Sequence, residues 1–161
     1  MSGRFAIDRV SQPERELLAR YLQLYCYDMS EFTGLRPVDG GFAYPYLDAY
    51  FGGDERRVAF WAKDEVGIVG FALVRHDPDD GRREVAEFFI LAACRRRGLG
   101  MAFARRLLAQ SPGPWKLHQL AANARAIAFW HRVLEPFAPY EEAPLAWPDG
   151  VPRIEQRLVV S

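Results

Sequence analysis

Apolar and polar positions along the chain switch repeatedly between a two-residue and a helical rhythm, and the switches mark its elements. Phe5-Ala6-Ile7-Asp8-Arg9-Val10 reads as a first strand. Ser11 and Glu14 then stand in capping-box register, with Pro13 in the first turn. Leu17, Leu18, Tyr21, Leu22 and Tyr25 follow at helical spacing, which predicts a helix ending near Tyr27 to Ser30. Glu31 to Gly41 reads as loop, and Tyr46 to Phe51 as a short helical piece. Arg57 to Lys63 and Ile68 to Arg75 are predicted strands joined by the hairpin Asp64-Glu65-Val66-Gly67. The polar turn Asp77 to Gly81 leads into a fourth strand, Glu84 to Leu91. Gly100 to Gln110 is predicted helical, with Phe103, Ala104, Leu107 and Leu108 inward. Trp115 to Leu120 is a fifth strand, Asn123 to Leu134 a helix, and Arg153 to Val160 a last strand. Pro136, Pro139, Pro144, Pro148 and Pro152 break up the stretch between those last two.

The most informative junction is the one between the fourth strand and the next helix. Arg95-Arg96-Arg97-Gly98-Leu99-Gly100 places glycines and cationic residues where a helix starts. Unpaired N–H groups and the positive end of the dipole make such a point an anion site, and glycine lets a phosphate approach the main chain. A P-loop needs Lys-Ser/Thr after its second glycine, and Met101 stands there instead. A dinucleotide fingerprint needs a third small residue and a ribose-binding acid; Phe103 takes the first position, and no Asp or Glu occurs between Phe88 and Leu134. A plain strand-to-helix turn is the simple alternative.

The spacing Arg-x-x-Gly-x-Gly at Arg95, Gly98 and Gly100 resembles the loop of the GNAT superfamily of acyl-CoA-dependent N-acetyltransferases. Asn123-Ala124-Arg125-Ala126-Ile127-Ala128-Phe129-Trp130 is similar to that family's downstream motif, Asn-x-x-Ala-x-x-Phe-Tyr. The resemblance covers residues 84–134. It implies that the amides of Arg95, Arg96, Arg97, Gly98, Leu99, Gly100 and Met101 grip the coenzyme A diphosphate. It also implies that main-chain N–H groups near Phe89 and Ile90 hold the thioester of acetyl-CoA, and that Asn123, Phe129 and Trp130 lie at the cofactor. On the residues alone, Asn123 is equally a helix N-cap, and Ile127, Trp130 and Leu134 a core stripe.

The element order and the resemblance together predict a mixed α/β fold. Its central sheet is largely antiparallel and twisted, with about six to seven strands, splayed between strands four and five, and has helices on both faces. The expectation is one acetyltransferase domain over residues 1–161, as a monomer or homodimer. Half the residues are hydrophobic, enough for a packed core. Net charge is zero, which gives no global pull toward nucleic acid, and three adjacent arginines without stacking aromatics do not supply one. Residues 88–134 nevertheless hold eight Arg or Lys and no acid, a local basic wall for an anionic cofactor. Cys26 and Cys94 form no metal or redox motif, no long apolar leader opens the chain and no run is long enough to span a membrane, so a cytoplasmic location is expected.

Acetyl transfer to an amine requires deprotonation of the amine, donors for an oxyanion, and tight positioning. Glu87 is the base candidate: alternation puts Phe89 and Leu91 on its face, with Ala86, Phe88 and Ile90 on the other. Its alternative role is a structural ion pair, and Glu84 is the weaker rival. Where the family has a tyrosine as leaving-group acid, this chain has Trp130. Tyr25, Tyr27 or Tyr140 then serves as acid, or no residue does. His131 is expected at the surface, and His118 is a modest alternative for that acid. Tyr25, Tyr27, Asp28, Phe42, Tyr44, Tyr46 and Asp48 suit an amine-bearing acceptor or, equally, a covering layer on the sheet. The leading expectation is transfer of an acetyl group from acetyl-CoA to a primary amine by direct attack. The second is an acyl-CoA-binding sensor without turnover.

Overall fold

The computed structural model describes residues 5–161. Its elements are β1 (Ala6–Arg9), α1 (Arg15–Thr33), β2 (Arg57–Lys63), β3 (Ile68–His76), β4 (Arg83–Ile90), α2 (Leu99–Ala109), β5 (Gly113–Leu120), α3 (Ala124–Leu134), β6 (Glu141–Leu145) and β7 (Arg153–Val160). Short 3-10 turns occupy Gln12–Glu14, Leu47–Tyr50, Ala92–Cys94 and Glu135–Phe137. The seven strands form one sheet in the order β1-β2-β3-β4-β5-β7-β6, antiparallel everywhere except between β4 and β5.

Both faces of the sheet are covered, which is why β3 reads as an almost continuous apolar run. Val69, Ala72 and Val74 face a core shared with Phe103, Leu107 and Leu108 of α2 and Trp130, Val133 and Leu134 of α3. Phe71 and Leu73 face the opposite core, filled by Leu18 and Leu22 of α1 and by Trp61. Each fully buried leucine stabilises this packing by about 2 kcal/mol. At the start of α1, Ser11 N–H donates to the Glu14 carboxylate at 2.9 Å, and that carboxylate also accepts from the Trp61 indole at 3.1 Å.

The structure departs from the sequence reading at three places. Helix α1 runs on to Thr33, beyond the expected end at Tyr27 to Ser30, and stops at left-handed Gly34, whose N–H donates to Ser30 O at 2.9 Å. Strand β6 forms despite Pro144, because it lies at the sheet edge, where a missing N–H breaks no inner ladder. In β4 the pairing steps from Leu73↔Glu87 to Val74↔Val85, so Ala86 is an extra, bulged residue. The bulge interrupts the expected alternation: Ala86 packs into the α1-side core with Phe89, not on the face opposite to it.

Gly70 holds the far end of β4 in place. It pairs with Ile90, and a Cβ there would stand 2.1 Å from the Phe89 carbonyl oxygen and 2.9 Å from Ile90 Cδ1. Backbone cannot yield as a flexible side-chain tip does. Gly70→Ala is therefore expected to destabilise the protein by about 2–3 kcal/mol, read as a lower urea midpoint at unchanged slope; a wild-type midpoint would contradict the close approach.

Candidate active site

The pairing of β4 with β5 lasts for only three positions, Arg83↔Trp115, Glu84↔Lys116 and Val85↔Leu117. On its other side β4 stays paired with β3 as far as Gly70↔Ile90. The stretch from Ala86 to Ile90 thus has a strand on one edge and an opening on the other. Leu91 N–H donates to Val69 O at 2.8 Å, and the Phe89 carbonyl points at Gly70, so the main chain of these two residues faces β3. By alternation the main-chain groups of Phe88 and Ile90 face the opening. The main-chain groups that reach the opening are thus those of Phe88 and Ile90, while Phe89, expected there beside Ile90, turns to β3 instead.

A cavity of about 480 Å³ fills this fork. Ala86, Glu87 and Phe88 line it from β4, and Leu117 to Leu120 from β5. Asn123, Ala126 and Trp130 close one side, and Tyr25, Cys26 and Tyr44 another.

At the C-terminal end of β4, the turn Ala92–Cys94 leads into the arginine triplet. Arg96 and Gly98 both adopt positive φ, 63° and 77°, which swings the chain into α2. Among the described residues, the first α2 amide with a protein acceptor is that of Ala102, which donates to Gly98 O at 3.1 Å. Among the described residues the amides from Arg96 to Met101 have no protein acceptor, whereas the Arg95 amide, expected among them, donates to Ala92 O at 3.3 Å. Beside them, a Cβ on Gly100 would sit 3.3 Å from Ile90 Cγ1 and 3.4 Å from Phe129 Cε2, so the glycine keeps the passage narrow but open. The side chains of Leu99 and Met101 turn away from this surface and pack on the sheet. These free amides, the left-handed turn and the open edge of β4 fit a diphosphate with an extended arm, the shape of coenzyme A.

The three arginines divide. Arg96 and Arg97 remain exposed, with no ion pair among the described residues. Arg95 folds back onto protein: its Nε donates to Ile90 O at 2.9 Å, and its other end pairs with Asp28 Oδ2 at 2.7 Å across the Phe89 ring. That ties the end of β4 to α1. Asn123 is buried, and its side-chain oxygen accepts the Ala126 N–H at 3.0 Å, so it caps α3 while lining the cavity. Trp130 is buried edge-on against Phe88, with ring centres 5.1 Å apart, and Phe129 packs beside both.

Glu87 stands on the cavity wall below two tyrosines. Tyr44 donates its hydroxyl to Glu87 Oε1 at 3.3 Å, and Tyr25 packs edge-to-face on Phe71 and Phe89. Burial holds the Glu87 carboxyl above its usual range, against the opposing pull of the Tyr25 and Tyr44 hydroxyls and of His118. Burial, and then the Glu87 charge, push both tyrosines well above theirs, so they keep their protons. Tyr27, expected beside Tyr25 as acid or acceptor contact, is instead 73% exposed and lies outside the cavity, because two residues along a helix turn a side chain roughly to the opposite face. Tyr140 also lies elsewhere.

The bulge puts Glu84 on the same face as Glu87 but gives it different neighbours. Arg75 Nε and His118 Nδ1, the latter at 3.4 Å, both bind its carboxylate. Burial alone would raise Glu84, yet these two partners hold it below the usual range. His118 is the first residue of β5 beyond the split, and its ring lies 5.1 Å from that of Trp147. His131 sits at the surface on Glu142, 2.6 Å away, as expected. The role of Gly70 and the Glu84–His118 pair were missed from sequence. An isolated glycine inside an apolar strand was the available signal for the first, and nothing local announces the second.

An open strand fork beside free helix amides is the arrangement this mixed α/β fold presents to a ligand. The acetyltransferase (GNAT) family model matches residues 21–135, and the chain belongs to that family of N-acetyltransferases, whose acyl donor is acetyl-CoA. Spermidine N-acetyltransferase from Vibrio cholerae, solved with CoA and spermine, has the same fold: TM-score 0.72 at 10% identity over 97% of this chain and 95% of that one. The aminoglycoside acetyltransferase AAC(6')-Ib with coenzyme A superposes at TM-score 0.69 and 18% identity, over 97% and 95%. The ribosomal-protein-S18-alanine N-acetyltransferase from Escherichia coli gives 0.62 at 18%, over 98% and 95%. No curated protein sequence matches the chain.

Glu84 also carries a stability prediction. Its folded-state pKa is depressed, so its contribution is complete above the unfolded carboxylate value and is lost as pH falls through the lower folded value. Glu84→Gln should cost about 2 kcal/mol at neutral pH, less than a fully buried pair because Arg75 keeps 32% of its side chain exposed. Urea midpoints of variant and wild type should converge on acidification; a constant gap would contradict the pairing.

Proposed function

We propose that residues 1–161 act as one cytoplasmic acetyltransferase domain that moves an acetyl group from acetyl-CoA to a primary amine by direct attack in a ternary complex. The observation that carries this reading is the row of unpaired amides from Arg96 to Met101 beside the unpaired edge of β4. Those amides hold the diphosphate, Arg96 and Arg97 add charge, and Phe88 and Ile90 offer main-chain groups to the extended arm. When bound, the thioester supplies an activated acyl carbon and a thiolate leaving group.

Glu87 takes the proton that the acceptor ammonium must lose before its nitrogen can attack. The Tyr44 hydroxyl orients the carboxylate, and Tyr25 and Phe89 shield it from bulk water. Trp130 has no acidic proton to give the leaving thiolate, and the buried tyrosines hold theirs. The thiolate would therefore leave without an acid as the N–C bond forms and the C–S bond breaks, and would take up the amine's second proton only afterwards. The relatives whose structures hold spermine or aminoglycosides support an amine as acceptor class.

Two predictions test the reading. Gly100→Asp puts a carboxylate against Ile90 and Phe129 beside the diphosphate site, and should weaken acetyl-CoA binding at least about tenfold by calorimetry; unchanged affinity in a folded variant would overturn the loop assignment. Glu87→Gln should lower kcat about 100-fold with little change in KM. Because the Glu87 pKa is raised, wild-type kcat should climb as pH rises through a value above the ordinary carboxylate range, and the variant should lose that limb. A wild-type profile in the variant would remove Glu87 as base.

A further inference from the structure

The charge on the cavity wall separates two kinds of amine. Four formally charged side chains line it, the carboxylates of Glu87 and Asp149 and the guanidinium groups of Arg36 and Arg153, and they cancel. Asp149 is already spent on Arg153, whose two terminal nitrogens lie 3.0 and 3.1 Å from its oxygens. Arg153 in turn stacks 4.5 Å over Trp147, so the Asp149 charge is compensated by a guanidinium fixed in the wall. Glu84, the other nearby carboxylate, is taken by Arg75 and His118. One uncompensated carboxylate remains, Glu87 at the base, and one guanidinium, Arg36, on the loop above.

The mouth of the same cavity is largely apolar, with Arg36 as its one charge. Leu35, Val38 and Tyr46 line it while 66%, 77% and 59% exposed, with Phe42 and Met29 behind them. Apolar surface left in water around a cavity with one uncompensated carboxylate fits a ligand with a single ammonium and an apolar body. A polyamine would bring several ammonium groups to a wall with one carboxylate for them, and each unpaired charge would be desolvated without return.

We propose that the acceptor is a monoamine with an apolar or aromatic body, its ammonium on Glu87 and its body against Leu35, Val38 and Tyr46, and not a polycation. This rests on the acetyl-transfer reading above and goes beyond it in substrate class. Neighbours solved with spermine or kanamycin share the fold, and this chain's cavity offers such polycations one uncompensated carboxylate.

The experiment is coenzyme A thiol release from acetyl-CoA with 2-phenylethylamine, spermidine and kanamycin as acceptors. The expected result is a kcat/KM for 2-phenylethylamine at least about tenfold above either polycation. The double variant Leu35→Asp/Val38→Asp, at two exposed loop positions, should lower that value about tenfold and raise the one for spermidine. Val66→Asp, on the 97% exposed hairpin tip, should change neither. A wild-type preference for spermidine or kanamycin overturns the substrate class and leaves acetyl transfer standing. Release with no amine at all overturns both. A double variant that changes sedimentation and not selectivity assigns the rim to a subunit contact and also overturns the proposal.

Discussion

The parting of β4 from β5 after Val85 is the constraint on which the rest of the molecule depends. Parallel strands expose N–H and C=O groups wherever they separate, and those groups must find partners. The bulge at Ala86 adds a residue to β4 just where pairing ends, and bulges sharpen local twist. Immediately before it, the buried Glu84 carboxylate joins Arg75 of β3 to His118 of β5, so three strands are tied together at the base of the fork. Beyond the fork Gly70 lets β4 lie close on β3, and Arg95 takes the Ile90 carbonyl. What stays unpaired is a short edge of β4 and the first amides of α2. A ligand with an extended polar arm and a diphosphate meets both needs at once.

The same bulge explains why two carboxylates three positions apart behave differently. With Ala86 inserted, Glu84 and Glu87 share the α1 face of the sheet, although regular alternation would separate them. Burial raises both. Glu84 gains a guanidinium and an imidazole and ends below the usual range, whereas Glu87 gains only hydroxyls and the more distant His118 and ends above it. Environments that drive paired groups in opposite directions mark one as structural and the other as reactive. That supports the proposed division: Glu84 fixes the fork, and Glu87 handles the proton.

Much of this could be read from the chain. The two-residue and helical rhythms gave β2, β3, β4, α2, α3 and β7 to within a residue or two, because each buries a continuous apolar face. The free amides followed from Gly98 and Gly100 standing at a helix start. Local spacing could not show tertiary events. A bulge is a choice made jointly with the partner strand, so alternation around Glu87 was read as regular. Pro144 reads as a breaker from sequence because edge position is a property of the assembled sheet. Arg95 looked like its two neighbours in sequence, and only Asp28 on α1 and the Ile90 carbonyl separate it from them. Tyr25 lies on the helical apolar stripe and Tyr27 does not, but a helix expected to end near Tyr27 leaves that side chain's direction open until α1 is seen to run on to Thr33.

Trp130 in the place of a tyrosine then has a physical consequence for the proposed reaction. A thiol with an ordinary pKa near 8.5, about two units below an alkylamine, makes a thiolate that departs ahead of the amine from a tetrahedral centre without an acid to help it. The two tyrosines in the cavity do not supply one either, since burial and the Glu87 charge make them weaker acids than usual. Their hydroxyls act on Glu87 instead, holding the carboxylate where Tyr44 can reach it. With no acid to assign, the proposed reaction rests on Glu87, on main-chain donors for the oxyanion and on holding amine and thioester together, the last a source able to supply about 7–11 kcal/mol. Trp130 contributes to that by packing edge-on against Phe88, which keeps the open edge of β4 rigid beside the cavity. A bulky indole there fixes the geometry of the fork, where a tyrosine would have offered a proton that the leaving group does not need.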